Sequence, residues 1–354
     1  MYSINTSSTN SKQYSEGYFI TYDNVLEIDR KLLEKNLNYL FDKKISYLGI
    51  SPLSGGQSTD RLYLGKLENR KIVIRFTADA NAKNYLKLLS YSQMAAQNQV
   101  GPAVLYFNAE DKLFVTDFVE GTPLSPTLCD NEMVVFQLGR ALRNIHHSQI
   151  SLEEKFDILE LVIKQLRNFI EKHKDFDSWM KNFLEYFQEI YTILNKNRLL
   201  YRPCHNDIHT MNVFLDLNHD IKFIDWGDAG LGDPYYDLAR ASIEFQFSKE
   251  QTEKFLSTYF LENITSYDRA HFFLLRQVAL LKIGLHFLNS SELTDRTKNL
   301  VVSFFNKNEI ELSSEQINNA QDVAKYIFTT LEKEISSSDS IQALLTLRNY
   351  SLDL

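Results

Sequence analysis

The most informative stretch of the sequence runs from residue 204 to residue 239 and reads CHNDIHTMNVFLDLNHDIKFIDWGDAGLGDPYYDLA. In it, Asp207 is followed five positions later by Asn212, and two short apolar runs flank the polar turn 218–220. Apolar runs around such a turn predict a β-hairpin. Because a hairpin brings its two ends together, we expect Asp207, Asn212 and Asp225 to surround one point.

The order and spacing of these polar residues match the needs of phosphoryl transfer from ATP. An acid must orient the attacking hydroxyl or accept its proton, and oxygen ligands must hold Mg²⁺ against the phosphates. Asp207, Asn212 and Asp225 supply groups of both kinds. Asp and Asn also dominate ordinary turns, so each residue alone carries little weight. The ordered set with a hairpin between its members is more specific.

This stretch resembles the aminoglycoside phosphotransferase and choline kinase superfamily, whose members are relatives of protein kinases. In that superfamily the loop reads HGDLHxxN or HNDLxxxN, and the later segment reads IDWExAGxxDPxxDLA. The resemblance runs from about residue 53 to residue 260. It implies that Asp207 is the catalytic base and that His205 is structural. By the same resemblance, Asn212 and Asp225 hold magnesium.

A glycine-rich segment upstream is expected to bind the phosphates of ATP. It reads LSGGQSTDRLY at 53–63 and lies between two predicted strands, so its backbone amides can approach phosphate oxygens. It is not a Walker A loop, because the required Lys-Ser/Thr pair is missing. Its place in the chain is similar to the nucleotide loop of the superfamily. The residues predicted to contact ATP are Gly55, Gly56, Gln57 and Ser58.

The next strand, KIVIRF at 71–76, carries a cation that is expected to bind phosphate. Arg75 lies where many kinases have a lysine, and choline-kinase-like members are similar in using arginine. The alternative is an edge-strand arginine that faces solvent. Kinases pair this cation with a glutamate on the following helix, but the segment 80–109 contains no acidic residue. Gln93 or Gln97 replaces it, the partner comes from elsewhere, or the chain is an inactive relative.

The segment FVTDFVEGTPLS at 114–125 resembles the hinge whose backbone holds adenine in the superfamily. Phe118 and Val119 are the predicted contacts. The alternative is an ordinary strand that ends in a turn at Gly121, which would have the same sequence character.

Choline or ethanolamine is the predicted acceptor. Asn206 and the segment 237–260 resemble bacterial choline kinases of the type that modifies lipooligosaccharide. A quaternary amine needs aromatic faces and nearby carboxylates. The helix that lines the choline pocket in that branch is rich in tryptophan, but the corresponding segment 274–288 has none. Aminoglycosides, sugars, thiamine and other metabolites are the alternatives. The predicted substrate-binding residues near the motif are Trp226, Asp228, Tyr235, Glu244 and Phe245.

The predicted fold class is α+β, as a two-lobed protein-kinase-like fold. A flexible tail rich in Ser, Asn and Thr is expected over 1–20, and a β-rich N-lobe with a leading helix, nucleotide loop and hinge over 21–121. A helical C-lobe is expected over 122–354. The resemblance implies that ATP and Mg²⁺ bind in the cleft between the lobes.

Composition and short motifs argue against several other classes of protein. The net charge of −8 and the absence of a Lys/Arg run argue against nucleic-acid binding. Two cysteines and a polar first segment predict a cytoplasmic protein without a secretion signal. The apolar stretch 272–288 contains three strongly polar residues, which favours a buried helix over a membrane span. His205 and His209 lack the glutamate of a zinc helix motif. A protein kinase is disfavoured because no activation segment follows Asp225.

Overall fold

The structure is a computed structural model that describes residues 10–13, 19–40, 47–53, 60–67, 69–78, 81–150, 154–172, 178–196, 201–290, 293–295, 298–299, 301–303 and 312–350. It has the predicted α+β architecture, and the chain divides into two compact units. The first comprises Met1–Pro123, Gln149–Leu152 and Met211–Gly227, and the second comprises Leu124–Ser148, Glu153–Thr210 and Asp228–Leu354.

Strands dominate the first unit and helices the second. The described strands are β1 Asn10–Gln13, β2 Phe19–Tyr22, β3 Tyr47–Pro52, β4 Arg61–Leu67, β5 Lys71–Phe76, β6 Val104–Asn108, β7 Leu113–Asp117, β8 Gly121–Pro123, β9 Arg202–Cys204, β10 Val213–Asp216, β11 Ile221–Phe223 and β12 Gly230–Gly232. The described helices are α1 Glu27–Leu40, α2 Ala82–Gln97, α3 Glu132–His146, α4 Ile158–Lys172, α5 Ser178–Lys196, α6 Pro234–Glu244, α7 Lys249–Phe260, α8 Ser266–Asn289, α9 Ala320–Ile335 and α10 Ser338–Asn349.

A seven-stranded sheet forms the centre of the first unit, in the order β1-β2-β3-β4-β5-β7-β6. Strands β2 and β3 run parallel, whereas the other neighbours run antiparallel. The strand predicted for KIVIRF is confirmed, and every second side chain is buried, since Ile72, Ile74 and Phe76 are at most 1% exposed. Burial of each such side chain contributes about 1.5–3 kcal/mol. Arg75 lies on the opposite face of β5.

The predicted hairpin is also confirmed and belongs to the first unit. Strand β10 pairs with β11 in antiparallel register, with Val213 opposite Phe223, and β8 pairs with the other edge of β10. At the base of the hairpin, the amide of Ile224 donates to the carbonyl of Asn212 at 2.9 Å. The amide of Phe223 donates to the carbonyl of Val100 at 2.7 Å and so ties the hairpin to the segment after α2.

Helix α8 is the central helix of the second unit. A capping box begins it, in which Thr265 and Asp268 satisfy each other's backbone amides. Among the described helices it alone has the length and apolar composition of a membrane span, and 61% of that apolar window is buried inside the protein. The sequence-based prediction of a buried helix agrees with this burial.

The start of the chain differs from the prediction of a flexible tail. Residues 10–13 form β1 and residues 19–20 begin β2, whose Ile20 is 1% exposed. The reason is the apolar, β-favouring sequence FITY at 19–22, which gives the segment a buried side to pack. Residues 1–9 and 14–18 lie outside the described residues. The predicted boundary at 121/122 stays a prediction, and the hairpin groups with the first unit.

At Gly121, strand β8 lies so close to β10 that there is no space for a side chain. A Cβ atom on Gly121 would lie 2.8 Å from Cα of Asp216 and would also overlap the carbonyl oxygen of Leu215. Gly121→Ala is therefore expected to lower the free energy of unfolding by about 1–3 kcal/mol, as for other overpacking changes. Chemical denaturation measures this. Thr122→Ala, an exposed change on the same strand, is the control, and equal stability of both variants would contradict the close approach.

Candidate active site

A buried carboxylate fixes the loop that carries Asp207. Asp237 lies in the first turn of α6 and is fully buried. Its oxygens accept the backbone amides of His205 at 2.7 Å and Asn206 at 2.8 Å. It also pairs with Nε2 of His146 at 3.1 Å. A buried carboxylate is stable only with such donors, so these bonds hold the loop in one backbone conformation.

Further contacts between the loop and its surroundings reinforce this conformation. Asn206 has a φ of 64°, in the left-handed region, and its Nδ2 donates to the carbonyl of Asp228 at 3.1 Å. Nη2 of Arg240 donates to the carbonyl of Ile208 at 3.1 Å. Glu244 accepts the amide of residue 210 at 3.1 Å. Glu244, predicted to bind substrate, therefore also holds the loop.

Asp207 itself is ionised at neutral pH. Its Oδ2 lies 3.3 Å from Nε2 of His209, and its side chain is 40% exposed. Burial alone would raise the pKa of Asp207, but the hydrogen bond from His209 and the electrostatic interactions with His209 and Arg240 hold it well below its usual range. An ionised, partly accessible carboxylate is suited to accept a hydrogen bond from a hydroxyl group.

In the first unit, two carboxylates hold Arg75. Nε of Arg75 donates to Oδ2 of Asp60 at 2.6 Å, and Nη1 donates to Oδ1 of Asp225 at 3.0 Å. The other oxygen of Asp60 accepts the amide of Ala78 at 3.0 Å. Burial alone would lower the pKa of Arg75, but the charges of Asp225 and Asp60 raise it above its usual value. The arginine is therefore neither solvent-facing nor alone.

Asp60 is the acidic partner of Arg75. Sequence reasoning placed this partner on α2 or left it open, and did not identify Asp60. Helix α2 carries no acidic residue, as the sequence states. The partner comes instead from the position before β4. Because Leu62 pairs with Arg75 across the sheet, and side chains two apart share a face, Asp60 lies diagonally beside Arg75. The strand register was the signal that could have identified it.

Asn212 and Asp225 flank the hairpin in the first unit. Asn212 is 5% exposed, whereas the side chain of Asp225 is 41% exposed. Asp225 has a φ of 61°, a left-handed conformation that costs energy in a residue other than glycine. The bond between the backbones of residues 212 and 224 keeps the two segments together. A carboxylate and a side-chain amide oxygen are donors of the kind that Mg²⁺ prefers.

Four of the seven predicted ATP contacts lie outside the described residues, namely Gly55, Gly56, Gln57 and Ser58. Phe118 and Val119 follow β7 as expected and are partly buried. The amide of Phe118 donates to the carbonyl of Lys71 at 3.1 Å. Nζ of Lys71 lies 5.7 Å from the centre of the Phe118 ring. The contribution of these residues to ATP binding stays a prediction.

The three aromatic residues predicted to bind substrate are packed inside the protein. Trp226, Tyr235 and Phe245 are 2%, 5% and 1% exposed. The ring of Tyr235 stacks on His271 at 4.1 Å, and its hydroxyl donates to Asp268. Their ring faces are occupied by packing in this structure, so none offers an open aromatic wall. Asp228, by contrast, is exposed.

His146, Cys204 and Asp237 form a buried cluster of groups that also occur as metal ligands. Its members already have hydrogen-bond partners. Nδ1 of His146 lies 2.8 Å from the hydroxyl of Tyr259, and Asp237 holds the loop amides. Burial raises the pKa of the Cys204 thiol well above its usual value. The cluster therefore acts as the hydrogen-bonded support of the loop.

Comparison with known proteins agrees with this geometry. The sequence profile of the phosphotransferase enzyme family (APH) matches residues 49–273, which is more than half of the chain. The chain belongs to this family. Protein LicA of Haemophilus influenzae is 28% identical over 183 residues, which make up 51% of this chain and 51% of LicA, so the match spans about half of that relative.

Solved structures of this APH-type fold superpose on most of the chain. A choline/ethanolamine kinase family protein from Mesorhizobium loti has a TM-score of 0.65 at 18% identity, and the match covers 84% of this chain and 92% of that one. Spectinomycin phosphotransferase APH(9)-Ia, solved with ADP and spectinomycin, has a TM-score of 0.51 at 17% identity, with 84% and 98% covered. At these identities the likeness establishes the fold.

The pairing of Asp60 with Arg75 predicts a specific loss of stability. Asp60→Asn removes a charged acceptor whose side chain is 11% exposed and leaves Arg75 less well compensated. The free energy of unfolding should fall by about 1–3 kcal/mol. Asp117→Asn breaks a longer and more exposed pair with Arg70 and is expected to cost less than about 0.5 kcal/mol. Urea denaturation compares the two, and equal losses would argue against a special role for Asp60.

Proposed function

We propose that the chain is an ATP-dependent kinase that phosphorylates a hydroxyl group of a small molecule. The observation that carries this proposal is the ionised Asp207 on a loop fixed by the buried Asp237. In a phosphotransferase, a carboxylate held in this way orients the attacking hydroxyl. The family membership supplies the reaction class. The relative solved with ADP supports nucleotide binding in this fold.

The other groups have proposed roles in nucleotide binding. Arg75 would pair with phosphate oxygens, aligned by Asp60. The segment around Phe118 and Val119 would contact adenine. The glycine-rich loop with Gly55, Gly56, Gln57 and Ser58 would cover the phosphates.

Asn212 and Asp225 would hold Mg²⁺. Their oxygen donors fit a hard cation, and the strained, half-exposed Asp225 is an available ligand. When bound, Mg²⁺ would neutralise charge on the phosphates. Asp225 pairs with Arg75 in this structure, so ligation of the ion would require Asp225 to share or exchange that partner, while Asp60 keeps its own bond to the arginine.

In the proposed reaction, the acceptor oxygen forms a bond to the γ-phosphorus of ATP, and the bond to the β–γ bridging oxygen breaks. The electron pair leaves on ADP. The proton of the hydroxyl passes to Asp207 and then to water. Because the pKa of Asp207 is low, its main contribution is to hold the hydroxyl in line for attack.

The relatives support two classes of acceptor. The name of the Mesorhizobium loti relative supports choline or ethanolamine, and spectinomycin phosphotransferase supports an aminoglycoside. A non-catalytic nucleotide-binding protein is the other candidate. The lack of an acidic residue on α2 was the reason to consider a non-catalytic protein. That reason is weaker now, because Asp60 supplies a carboxylate partner for Arg75. Two buried free cysteines fit a reducing cytoplasm, where we propose that the reaction takes place.

Asp207→Asn tests the proposed catalytic role. The amide keeps the shape but loses the charge that orients the hydroxyl, so kcat should fall about 10²- to 10⁴-fold. The dissociation constant for ATP should stay within about threefold. Asp220→Asn, on the hairpin turn with a side chain 64% exposed, is the matched control and should keep full activity. An unchanged kcat for Asp207→Asn would remove Asp207 from the mechanism.

Release of ADP from Mg-ATP against a panel of acceptors tests the reaction itself. The panel contains choline, ethanolamine, aminoglycosides, thiamine, sugars and anionic hydroxyl compounds. Stimulation by one acceptor, abolished in Asp225→Ala, is the expected result. ATP binding without stimulation by any member of the panel would favour the non-catalytic alternative.

A further inference from the structure

A cavity in the second unit lies between α4 and α8. Its volume is about 410 Å³, within the range of small-molecule sites. Two helix faces line it. Positions 165, 168 and 172 of α4 share one face, as do positions 282, 286 and 289 of α8. The polar side chains on these two faces are Gln165, Asn168, Lys172, Lys282, His286 and Asn289, and Ser290 lines the cavity beyond the end of α8.

The charge of this cavity is positive. Among the described residues that line it there are two lysines and a histidine, but no carboxylate. Lys282 is half-buried, and its Nζ lies 3.4 Å from Oε1 of Gln165. In the described part of the chain Lys282 has no salt-bridge partner, whereas Arg276 on the same helix pairs with Glu334. A half-buried ammonium whose hydrogen-bond partner is a neutral amide has capacity to pair with an anionic ligand.

Helix α8, which lines the cavity, packs against α6, and Asp237 and Arg240 of α6 bond the loop that carries Asp207. Burial lowers the pKa of Lys282, while the charges of Asp228 and Asp207 act in the opposite direction. Burial and the neighbouring cations Lys282 and Arg240 lower the pKa of His286, and Asp207 again opposes them. The cavity is therefore linked to the loop of Asp207 through the packing of α8 on α6.

We propose that this cavity binds the non-reacting end of the acceptor, and that this end carries an anionic group. The proposal rests on the kinase function above and narrows its substrate class to a hydroxyl compound with a carboxylate or phosphate. Lys282 pairs with the anionic group, and the amides of Gln165, Asn168 and Asn289 bind further polar atoms. A choline-like cation at this position would be repelled by Lys282, and the buried Trp226, Tyr235 and Phe245 offer it no aromatic face.

A matched series of probes tests this inference. Glycerol, glycerate, glycerol 3-phosphate, ethanolamine and choline differ chiefly in charge. Calorimetry measures their binding to the full chain, and ADP release measures their turnover. We expect glycerate or glycerol 3-phosphate to bind at least about tenfold more tightly than glycerol, and choline and ethanolamine more weakly. The preferred anion then distinguishes a carboxylate from a phosphate.

Three variants assign the preference to Lys282. Lys282→Gln should weaken binding of the anionic probe about tenfold, and Lys282→Arg should largely retain it. Lys282→Glu should shift the preference toward choline. Lys325→Gln, an exposed lysine on α9, is the control that should change nothing. Thermal denaturation verifies that each variant is folded.

The outcomes separate this inference from the proposed function. Phosphorylation of choline or ethanolamine with a KM unchanged in Lys282→Gln would overturn the anionic acceptor and leave the kinase function intact. Lys282-dependent binding of an anionic probe without turnover of any acceptor would support the cavity assignment and contradict the kinase function. Failure of both anionic probes to bind better than glycerol would overturn the inference.

Discussion

The conformation of the candidate catalytic loop depends on one fully buried carboxylate. Asp237 has no contact with water, so its charge must be balanced by donors inside the protein. Those donors are two consecutive loop amides and the imidazole of His146 on α3. The interaction works in both directions. The donors make the buried charge tolerable, and the carboxylate makes the left-handed backbone of Asn206 stable, so Asp207 is presented in a fixed position.

Asp237 belongs to the second unit, whereas a second acidic system organises the first. There, the guanidinium of Arg75 lies between the carboxylates of Asp60 and Asp225 and pairs with both in a partly buried position. One of the points where the chain passes from one unit to the other lies between residues 210 and 211, inside the segment that joins Asp207 to Asn212. The segment 207–212 therefore connects the two units through the backbone, with Asp207 in the second unit and Asn212 in the first.

Sequence reasoning succeeded where local periodicity determines structure. Alternation in 71–76 and the polar turn after β10 sufficed for the sheet and the hairpin. It failed where a role depends on tertiary packing. Asp60 is distant in sequence from α2, where the partner of Arg75 was sought, and only the β4–β5 register brings it close. Trp226 and Tyr235 have the composition of a ligand cage, but the local sequence does not specify that the core buries their rings. The cationic faces of α4 and α8 were missed because each is an ordinary polar helix face until the other is placed beside it.

The cavity wall and the catalytic loop are held by different helices. The wall is built from α4 and α8, whereas α3 and α6 supply the side chains that fix the loop. Substitutions at the lining positions of the wall leave the side chains that bond the loop in place. During evolution, a few substitutions at the lining positions of these two helices could therefore change which acceptor is bound. It also gives protein engineers a defined region in which to alter selectivity while the chemistry is kept.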